Sequence, residues 1–511
     1  AHGPLKPRVQ DRYLVEERSH QFKRKQEQNR IRLSKKGGEL SQLDLAIILA
    51  AGEGTRMKSA RPKVLHQIAG RSLIAHVLAA TSSLRPRETV VVVGAGREQV
   101  TEHIAGIDPK IKTEFQEVRG GTGHATRIAL HGGPSTGTVL VCAGDTPLLT
   151  AQTLQEFFAH HCEKKAAASV LTADLSQPFG YGRIVRSGSE ISAIVEERDA
   201  TPSQKAITEI NSGVYIFDIA HLVDALKKVT SDNSQKEEYL TDVVSLLVSE
   251  KKKVAAYKVD DETEILGIND RSQLAECASY MRDRINRALQ ISGVSILDPD
   301  STWVDLTAEI DSDVTIHPGS AIVGNTKIGT GSTIGPRTTL IDCAVEAGAE
   351  IIESYCVASE VGKGAKVGPF THLRAGTKLA SDSRAGSFVE IKNSSIGEGS
   401  KVPHLSYVGD ATIGRESNIG AATIFVNYDG VTKHETIVGD HVRIGSDSML
   451  VAPVTIGDGA YTAAGSVITE NVPAGALGLG RSKQVNILGW VLRKRRGTKS
   501  AEAAEKKGSN E

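Results

Sequence analysis

From Ile310 onward one inward-type residue, nearly always aliphatic, recurs every six positions. Ile310, Ile316, Ile322, Ile328, Ile334 and Leu340 form a first run. Val367, Leu373, Leu379, Ala385 and Ile391 form a second, after a phase slip, and Val438, Ile444, Leu450, Ile456, Thr462 and Ile468 a third. Six residues turn an α-helix through roughly 600°, so this series cannot stay on one helical face. A chain that turns a corner every six residues can keep it. One inward aliphatic per short strand, with Gly, Asn or Asp at the corners, stacks into a solenoid of parallel strands. The spacing predicts a hexapeptide parallel β-helix over 292–488. Its aliphatics are core, so chemistry must lie in what departs from the repeat. "VNYDGVTKHET" is such a departure, between Ile419 and Val438, and loops on rigid scaffolds are where functional residues concentrate.

Residues 43–269 follow another pattern. "LAIILAAG", "TVVVVGAG", "TVLVCAGD" and "AASVLTAD" are apolar runs ending in small or acidic residues, separated by amphipathic stretches such as "LIAHVLAATSSL" and "TGHATRIALHGG". Continuous apolar strands alternating with helices predict a Rossmann-like α/β domain with a mostly parallel sheet buried on both faces. Ligands of such sheets bind at the carboxyl ends of strands. In 270–291, Leu274, Cys277, Met281, Ile285 and Leu289 are spaced by three and four, which predicts a linker helix. Residues 1–42 carry 11 basic and 5 acidic side chains and residues 490–511 carry 7 and 3. Both ends, 1–42 and 489–511, read as basic, mobile extensions.

Lys+Arg and Asp+Glu balance at 61 each, so overall charge favours neither a nucleic-acid nor a membrane partner. The five cysteines, Cys142, Cys162, Cys277, Cys343 and Cys356, form no CxxC pair, which excludes a disulfide framework or cysteine zinc site. No apolar run reaches the ~18 residues of a membrane span, and the N-terminus lacks the order of a signal peptide. A cytoplasmic protein is expected.

"LAAGEGTRM" places a glycine-bearing loop after the first strand, with Arg56 inside it and Lys63 following in "RPKVL". Small residues let backbone N–H groups approach phosphates, and two cations there can neutralise a triphosphate.

In order, "LAAGEGTRM…PKVL", "GGTGHA", "GDTPLL", "GYGRIV", "IVEERDAT", "EINSGVY" and "GIND" resemble the sugar-nucleotide pyrophosphorylase domain. With the hexads, "GPFTHLRAG", "GSFVEIKNS", "HLSYVGDATIG" and "NYDG", residues 43–485 resemble the bifunctional N-acetylglucosamine-1-phosphate uridyltransferase / glucosamine-1-phosphate acetyltransferase family. The resemblance implies a left-handed β-helix, a homotrimer, and synthesis of UDP-N-acetylglucosamine for peptidoglycan and lipopolysaccharide precursors. Acetyl-CoA and UTP are the implied co-substrates, with one or two Mg²⁺ ions at the uridyltransferase site.

It also implies roles. Leu49, Ala50, Ala51 and Gly52 would line the uracil and ribose, and Arg56 and Lys63 would act on the phosphates. Gln116, Gly121 and Thr122 would contact uridine, and Gly182, Glu196 and Asn211 the N-acetylglucosamine phosphate. Asp145 and Asn269 would hold the metal. In the second half His404 would be the general base that acyl transfer to an amine requires. Arg374, Lys392, Tyr407 and Asn418 would bind glucosamine-1-phosphate, and Glu390 would orient the amine or base. Ala421, Asn427, Tyr428, Lys433, Ser446, Ala464 and Arg481 would line the acetyl-CoA site, the 427–433 loop reaching a neighbouring subunit. Gly120, Ala143 and Ala422 depart from the family pattern, as does "LGRSKQ" around Arg481. The alternative is a single-activity sugar-1-phosphate nucleotidyltransferase with a structural or regulatory β-helix. His404 together with Arg374, Lys392 and Asn427 argues against it, since a structural solenoid has no need of them.

Overall fold

The computed structural model describes residues 42–508. The basic extension 1–42 therefore lies outside the described residues, apart from Gln42. The chain forms two compact units: one ends at Gln273 and the other starts at Leu274, with the short segment Gln67–Ser72 belonging to the second.

The first unit is built on a nine-stranded sheet. In chain order its strands are β1 (Leu45–Ala50), β2 (Glu88–Val93), β3 (Lys112–Phe115), β4 (Thr138–Ala143), β5 (Ala168–Asp174), β6 (Arg183–Ser187), β7 (Glu190–Val195), β8 (Glu209–Asp218) and β9 (Val254–Lys258). The order across the sheet is β9-β5-β8-β4-β1-β2-β3, with the β6–β7 hairpin added at β8. β1 runs parallel to β2 and β4, and β2 to β3. The sheet is not wholly parallel, because β8 lies antiparallel between β4 and β5. Alternate residues face opposite sides: Ala46 and Ile48 join Val91, Leu140 and Cys142 in one core, while Leu45 and Ile47 join Val90, Val92 and Val141 in the other. Both faces are covered, which is why the strands read as continuous apolar runs. The helix Leu73–Ser82 and the helix Gly121–Leu130 are among the covering elements.

In the second unit, three sheets of 11, 10 and 9 short strands stack, each strand pairing in parallel with the one a full coil later. Hexad residues meet in register, Ile316 on Ile334 and Ile322 on Leu340, and they are buried. Burying each such side chain is worth about 1.5–3 kcal/mol. Across the phase slip the inward positions are Val345, Ile351, Cys356 and Val361, all buried. Some corners there are one residue shorter, so the steps from Leu340 to Val345, from Ile351 to Cys356 and from Cys356 to Val361 are five. Buried hydroxyls at the corners bond to neighbouring coils: Thr377 Oγ1 donates to Ile391 O (3.0 Å) and Thr338 Oγ1 to Ile351 O (3.3 Å). Thr462 is tolerated at an inward position because its Oγ1 accepts the Gly445 N–H (3.0 Å).

The departure from the repeat is a loop between the strands Ile424–Val426 and Thr436–Val438. His434 N–H donates to Asn427 O (2.8 Å) at its base, and Tyr428 bridges Lys433. Asp429 accepts from His434 Nε2 (2.7 Å) and from the N–H groups of Thr432 (2.7 Å) and Val431 (2.8 Å). The linker helix is Arg271–Ile291, with Cys277, Met281 and Ile285 buried. The polar C-terminal tail carries two helices, Trp490–Lys494 and Lys499–Gly508. Its "KSAEAAEKKG" run consists mainly of strong helix formers.

Candidate functional site

The carboxyl ends of β1, β2, β3 and β4 share one edge of the sheet, as their parallel register requires. β1 carries Leu49 and Ala50 and leads through Ala51 and Gly52 into Gly54, which has φ +64°, and then into the turn Thr55–Met57. A Cβ on Gly54 would stand 2.6 Å from Lys63 Cβ, so only glycine lets the loop lie against Lys63. Lys63 Nζ is ion-paired with Asp145, which follows β4, and also donates to Asn269 Oδ1 (3.4 Å). The Lys63 and Asp145 side chains are 12% and 18% exposed, so the charges sit in a partly desolvated cleft. Asn269 is held there twice over. Ile268 N–H donates to Asp145 O (3.0 Å), and Asn269 N–H donates to Gln273 Oε1 (2.8 Å). Asp270 Oδ1 accepts the Gln273 N–H (2.9 Å), a side-chain cap at the start of the linker helix. Arg56 is exposed and has no ion-pair partner among the described residues.

Gln116 follows β3 and donates from Nε2 to Gly121 O (3.1 Å). Gly121, at φ +92°, opens the helix Gly121–Leu130, and a Cβ on it would stand 2.5 Å from Glu238 O. Thr122 Oγ1 accepts the Leu240 N–H (3.0 Å), so the uridine-side candidates also anchor the start of the helix Leu240–Ser249. The Gly120 departure has a local reason: a Cβ there would stand 2.5 Å from His124 Nδ1. His124, which contacts Gln116 (3.1 Å), fills that space. Ala143 lies in register beside Leu49.

Gly182, Glu196 and Asn211 come together. Gly182 O accepts the Asn211 N–H (2.9 Å), and a Cβ on Gly182 would stand 3.5 Å from both Glu196 Oε1 and Asn211 Cβ. Glu196 Oε1 accepts from Thr241 Oγ1 (3.2 Å), and Asn211 Nδ2 donates to the Tyr215 hydroxyl (2.6 Å). Burial pushes the carboxyls of Glu196 and its neighbour Asp242 above their ordinary range.

In the β-helix, His372, Glu390 and Tyr407 stack in register on successive coils. With Phe370, Leu405 and Ile424 they line a shallow groove of about 420 Å³. Arg374 Nη1 donates to Glu390 Oε1 (2.9 Å), so Glu390 is engaged by the cation expected on the sugar phosphate. The loop folds back so that Lys433 lies against Lys392 of its own chain. The Lys433 ammonium, then desolvation and Arg374, hold Lys392 below its ordinary pKa. Asp410 accepts from Asn393 Nδ2 (2.7 Å) and Asn427 Nδ2 (2.5 Å). Burial opposes its ionisation, but those bonds and the two lysines outweigh it and lower its pKa. Lys392 and Lys433 around Asp410, with Arg374 paired to Glu390, leave one positive charge in surplus, which suits a phosphate.

His404 ends the strand Lys401–His404, in register with Ser387. Its imidazole is exposed and has no partner among the described residues. Asn418 lies one coil beyond Lys401. A Cβ on Gly409 would meet the Tyr407 hydroxyl at 2.4 Å and Asn427 Nδ2 at 2.7 Å, so glycine makes room for both. Ala421, Ser446, Ala464 and Arg481 form a column over successive coils: Cβ atoms on Gly420 and Gly445 would each stand 2.5 Å from the backbone nitrogens of Ser446 and Ala464, and one on Gly465 3.7 Å from Arg481 Cδ. Tyr428 is exposed, its hydroxyl donating to Gly430 O (2.7 Å). Ala422 has φ +61°, in the region that favours glycine.

The family model of the MobA-like NTP transferase domain matches residues 46–209, and that of the bacterial transferase hexapeptide (six repeats) matches 435–470. The chain is 55% identical over 463 residues to the bifunctional protein GlmU of Streptomyces avermitilis, covering 90% of this chain and 96% of that one. The chain belongs to the GlmU family. GlmU of Streptomyces coelicolor is 54% identical over 463 residues, with the same coverage. GlmU of Mycobacterium tuberculosis is 50% identical over 467 residues, covering 90% of this chain and 94% of that one. The GlmU architecture is the one observed, an α/β nucleotidyltransferase domain followed by a left-handed hexapeptide β-helix. Among the described residues no helix is long and apolar enough to cross a membrane.

The structure adds members the sequence alone does not single out: Thr241 on Glu196, Asp410 among the lysines, and His372 in the groove. Arg271 and Gln273 join them at the start of the linker helix. Only Gln273 leaves a local signal, the D-x-x-Q spacing ahead of an apolar stripe.

Proposed function

We propose that this chain makes UDP-N-acetylglucosamine at two separate sites. It N-acetylates glucosamine-1-phosphate from acetyl-CoA, then transfers the uridylyl group of UTP to N-acetylglucosamine-1-phosphate and releases pyrophosphate. Membership of a bifunctional family and the presence of both transferase domains support this reading over a single-activity enzyme.

The observation that carries the first site is the convergence of Asp145 and Asn269 on the Lys63 ammonium. Two hard oxygen donors within reach of one nitrogen fit Mg²⁺. Among the described residues no group of three or more His, Cys, Asp or Glu could hold a metal ion, so phosphates and water would complete the shell, as this ion prefers. When bound, Mg²⁺ neutralises phosphate charge. Lys63 and Arg56 stabilise the charge on the phosphates, while Gln116, Gly121 and Thr122 position uridine. Gly182, Glu196 and Asn211 hold the sugar phosphate for in-line attack of its oxygen on the α-phosphorus. The bond from that phosphorus to the bridging oxygen breaks, and pyrophosphate departs. Positioning and charge neutralisation supply most of the rate.

At the second site Arg374 and Lys392 take the sugar phosphate, and Tyr407 and Asn418 orient the sugar. His404 accepts a proton as the amine attacks the thioester carbonyl; the C–N bond forms, the C–S bond breaks and CoA leaves as the thiol. The column Ala421–Ser446–Ala464–Arg481, with Asn427, Tyr428 and Lys433, holds acetyl-CoA. The β-helix assembles as a homotrimer, a reading supported by exposed Phe370 and Phe388, stacked at 5.1 Å, and exposed Leu405. The protein acts in the cytoplasm, where both co-substrates occur.

The test is to incubate the purified protein with glucosamine-1-phosphate, acetyl-CoA, UTP and Mg²⁺, omitting one component at a time. UDP-N-acetylglucosamine should form only in the complete mixture. Omission of UTP should still consume acetyl-CoA; failure to do so would leave a nucleotidyltransferase alone.

A further inference from the structure

We propose that Arg271 is a positioning residue for uridylyl transfer, a clamp between the phosphate loop and the helix turn that carries Asn269. This rests on the assignment of the Lys63–Asp145–Asn269 cleft as the uridylyl site.

Arg271 Nε donates to Met57 O (3.1 Å), although the two residues lie 214 positions apart. Met57 closes the turn Thr55–Met57 and is buried, and Arg56 is its immediate neighbour. The turn is entered through Gly54 and left through Lys58, both in the left-handed region. A three-residue turn bounded in this way has few intrinsic contacts to fix it: Met57 N–H donates to Gly54 O (2.9 Å) and Lys58 N–H to Thr55 O (3.2 Å). The bond from Arg271 ties this turn to an element outside it.

At the other end, Arg271 is the first residue of the linker helix. The bonds from Asn269 N–H to Gln273 Oε1 and from Gln273 N–H to Asp270 Oδ1 set that first turn, so Arg271 and Asn269 are placed by the same few hydrogen bonds. Buried His66, three residues beyond Lys63, has its pKa lowered by burial and then by the charges of Arg271 and Arg61. The guanidinium is thus bonded at Met57 O, and its charge is felt at His66, with Lys63 lying between the two in sequence. A displacement of about 1 Å in such a loop is enough to cost roughly a hundredfold in rate.

The clamp uses one N–H, on the atom attached to Cδ. Glutamine carries an N–H donor, Nε2, on its own Cδ, without the charge. Arg271→Gln can therefore keep the bond to Met57 O, whereas Arg271→Leu cannot. Both variants and Lys63→Ala should be assayed for uridylyl transfer and acetyl transfer on the same preparations, with kcat and KM for UTP separated. Arg271→Leu should lower uridylyl kcat about ten- to a hundredfold, Arg271→Gln should recover most of it, and acetyl transfer should be unchanged in both. Leu within twofold of the parent, Gln as poor as Leu, or parallel loss of acetyl transfer would each overturn the clamp. If Lys63→Ala itself keeps full uridylyl transfer, it is the site assignment that fails.

Discussion

The Lys63 ammonium bridges the Asp145 carboxylate and the Asn269 side-chain oxygen, joining a loop after β1, the end of β4 and the start of the linker helix. Removing it takes away a partly buried cation and leaves Asp145 unpaired. Lys63→Ala should lower uridylyl transfer by about 10²–10³-fold, the range for losing one preorganised charge-stabilising donor. Acetyl transfer, whose proposed residues lie beyond 370, should stay within twofold. Steady-state rates for both reactions check this.

Gly54→Ala should be nearly as damaging. A Cβ there overlaps Lys63 Cβ and φ is +64°, so the loop must move away from Lys63. Uridylyl transfer should fall by about tenfold or more, with acetyl transfer unaffected. A fully active alanine variant would show that the approach of loop to Lys63 is unnecessary.

Glu196 allows a pH prediction. Burial raises its pKa in the folded protein, so its contribution to stability is fully present below the ordinary glutamate value of about 4.3 and is lost as pH rises through the raised value. Glu196→Gln should therefore melt above the parent near neutral pH, with a gap that closes on acidification. The same variant should bind N-acetylglucosamine-1-phosphate less well. Melting curves across pH and the KM for that substrate test the two halves; a pH-independent gap contradicts the first.

Ala422 occupies a left-handed corner, φ +61°. Ala422→Gly relieves a steric cost of about 1–2 kcal/mol, partly offset by the greater freedom of unfolded glycine. A small rise in melting temperature with unchanged acetyl transfer is expected; a fall would mean that the alanine methyl packs usefully.

The hexads make the second fold legible because each coil offers one inward position per side. Val345, Ile351, Cys356 and Val361 escape that pattern only because some corners lose a residue. The positions after β1, β3 and β4 are legible because parallel strands bring their ends to one edge. Arg271 and Thr241 are not, since each acquires its role from a partner distant in sequence, Met57 and Glu196. Gly120 is visible as an omission, but its reason, the ring of His124, appears only in three dimensions. The antiparallel setting of β8 was equally hidden, because a buried central strand has the same apolar composition in either direction.

Two independent sites on one chain require that the chemistry of the second be removable without touching the first. His404→Ala, with its oligomeric state confirmed by light scattering, should be assayed on one preparation for acetylation of glucosamine-1-phosphate and for uridylyl transfer to supplied N-acetylglucosamine-1-phosphate. Acetylation should fall by roughly 10²–10⁴-fold, as expected for loss of a general base, while uridylyl transfer keeps the parent rate. Acetylation at the parent rate, or an equal fall in both reactions, would contradict the two-site assignment.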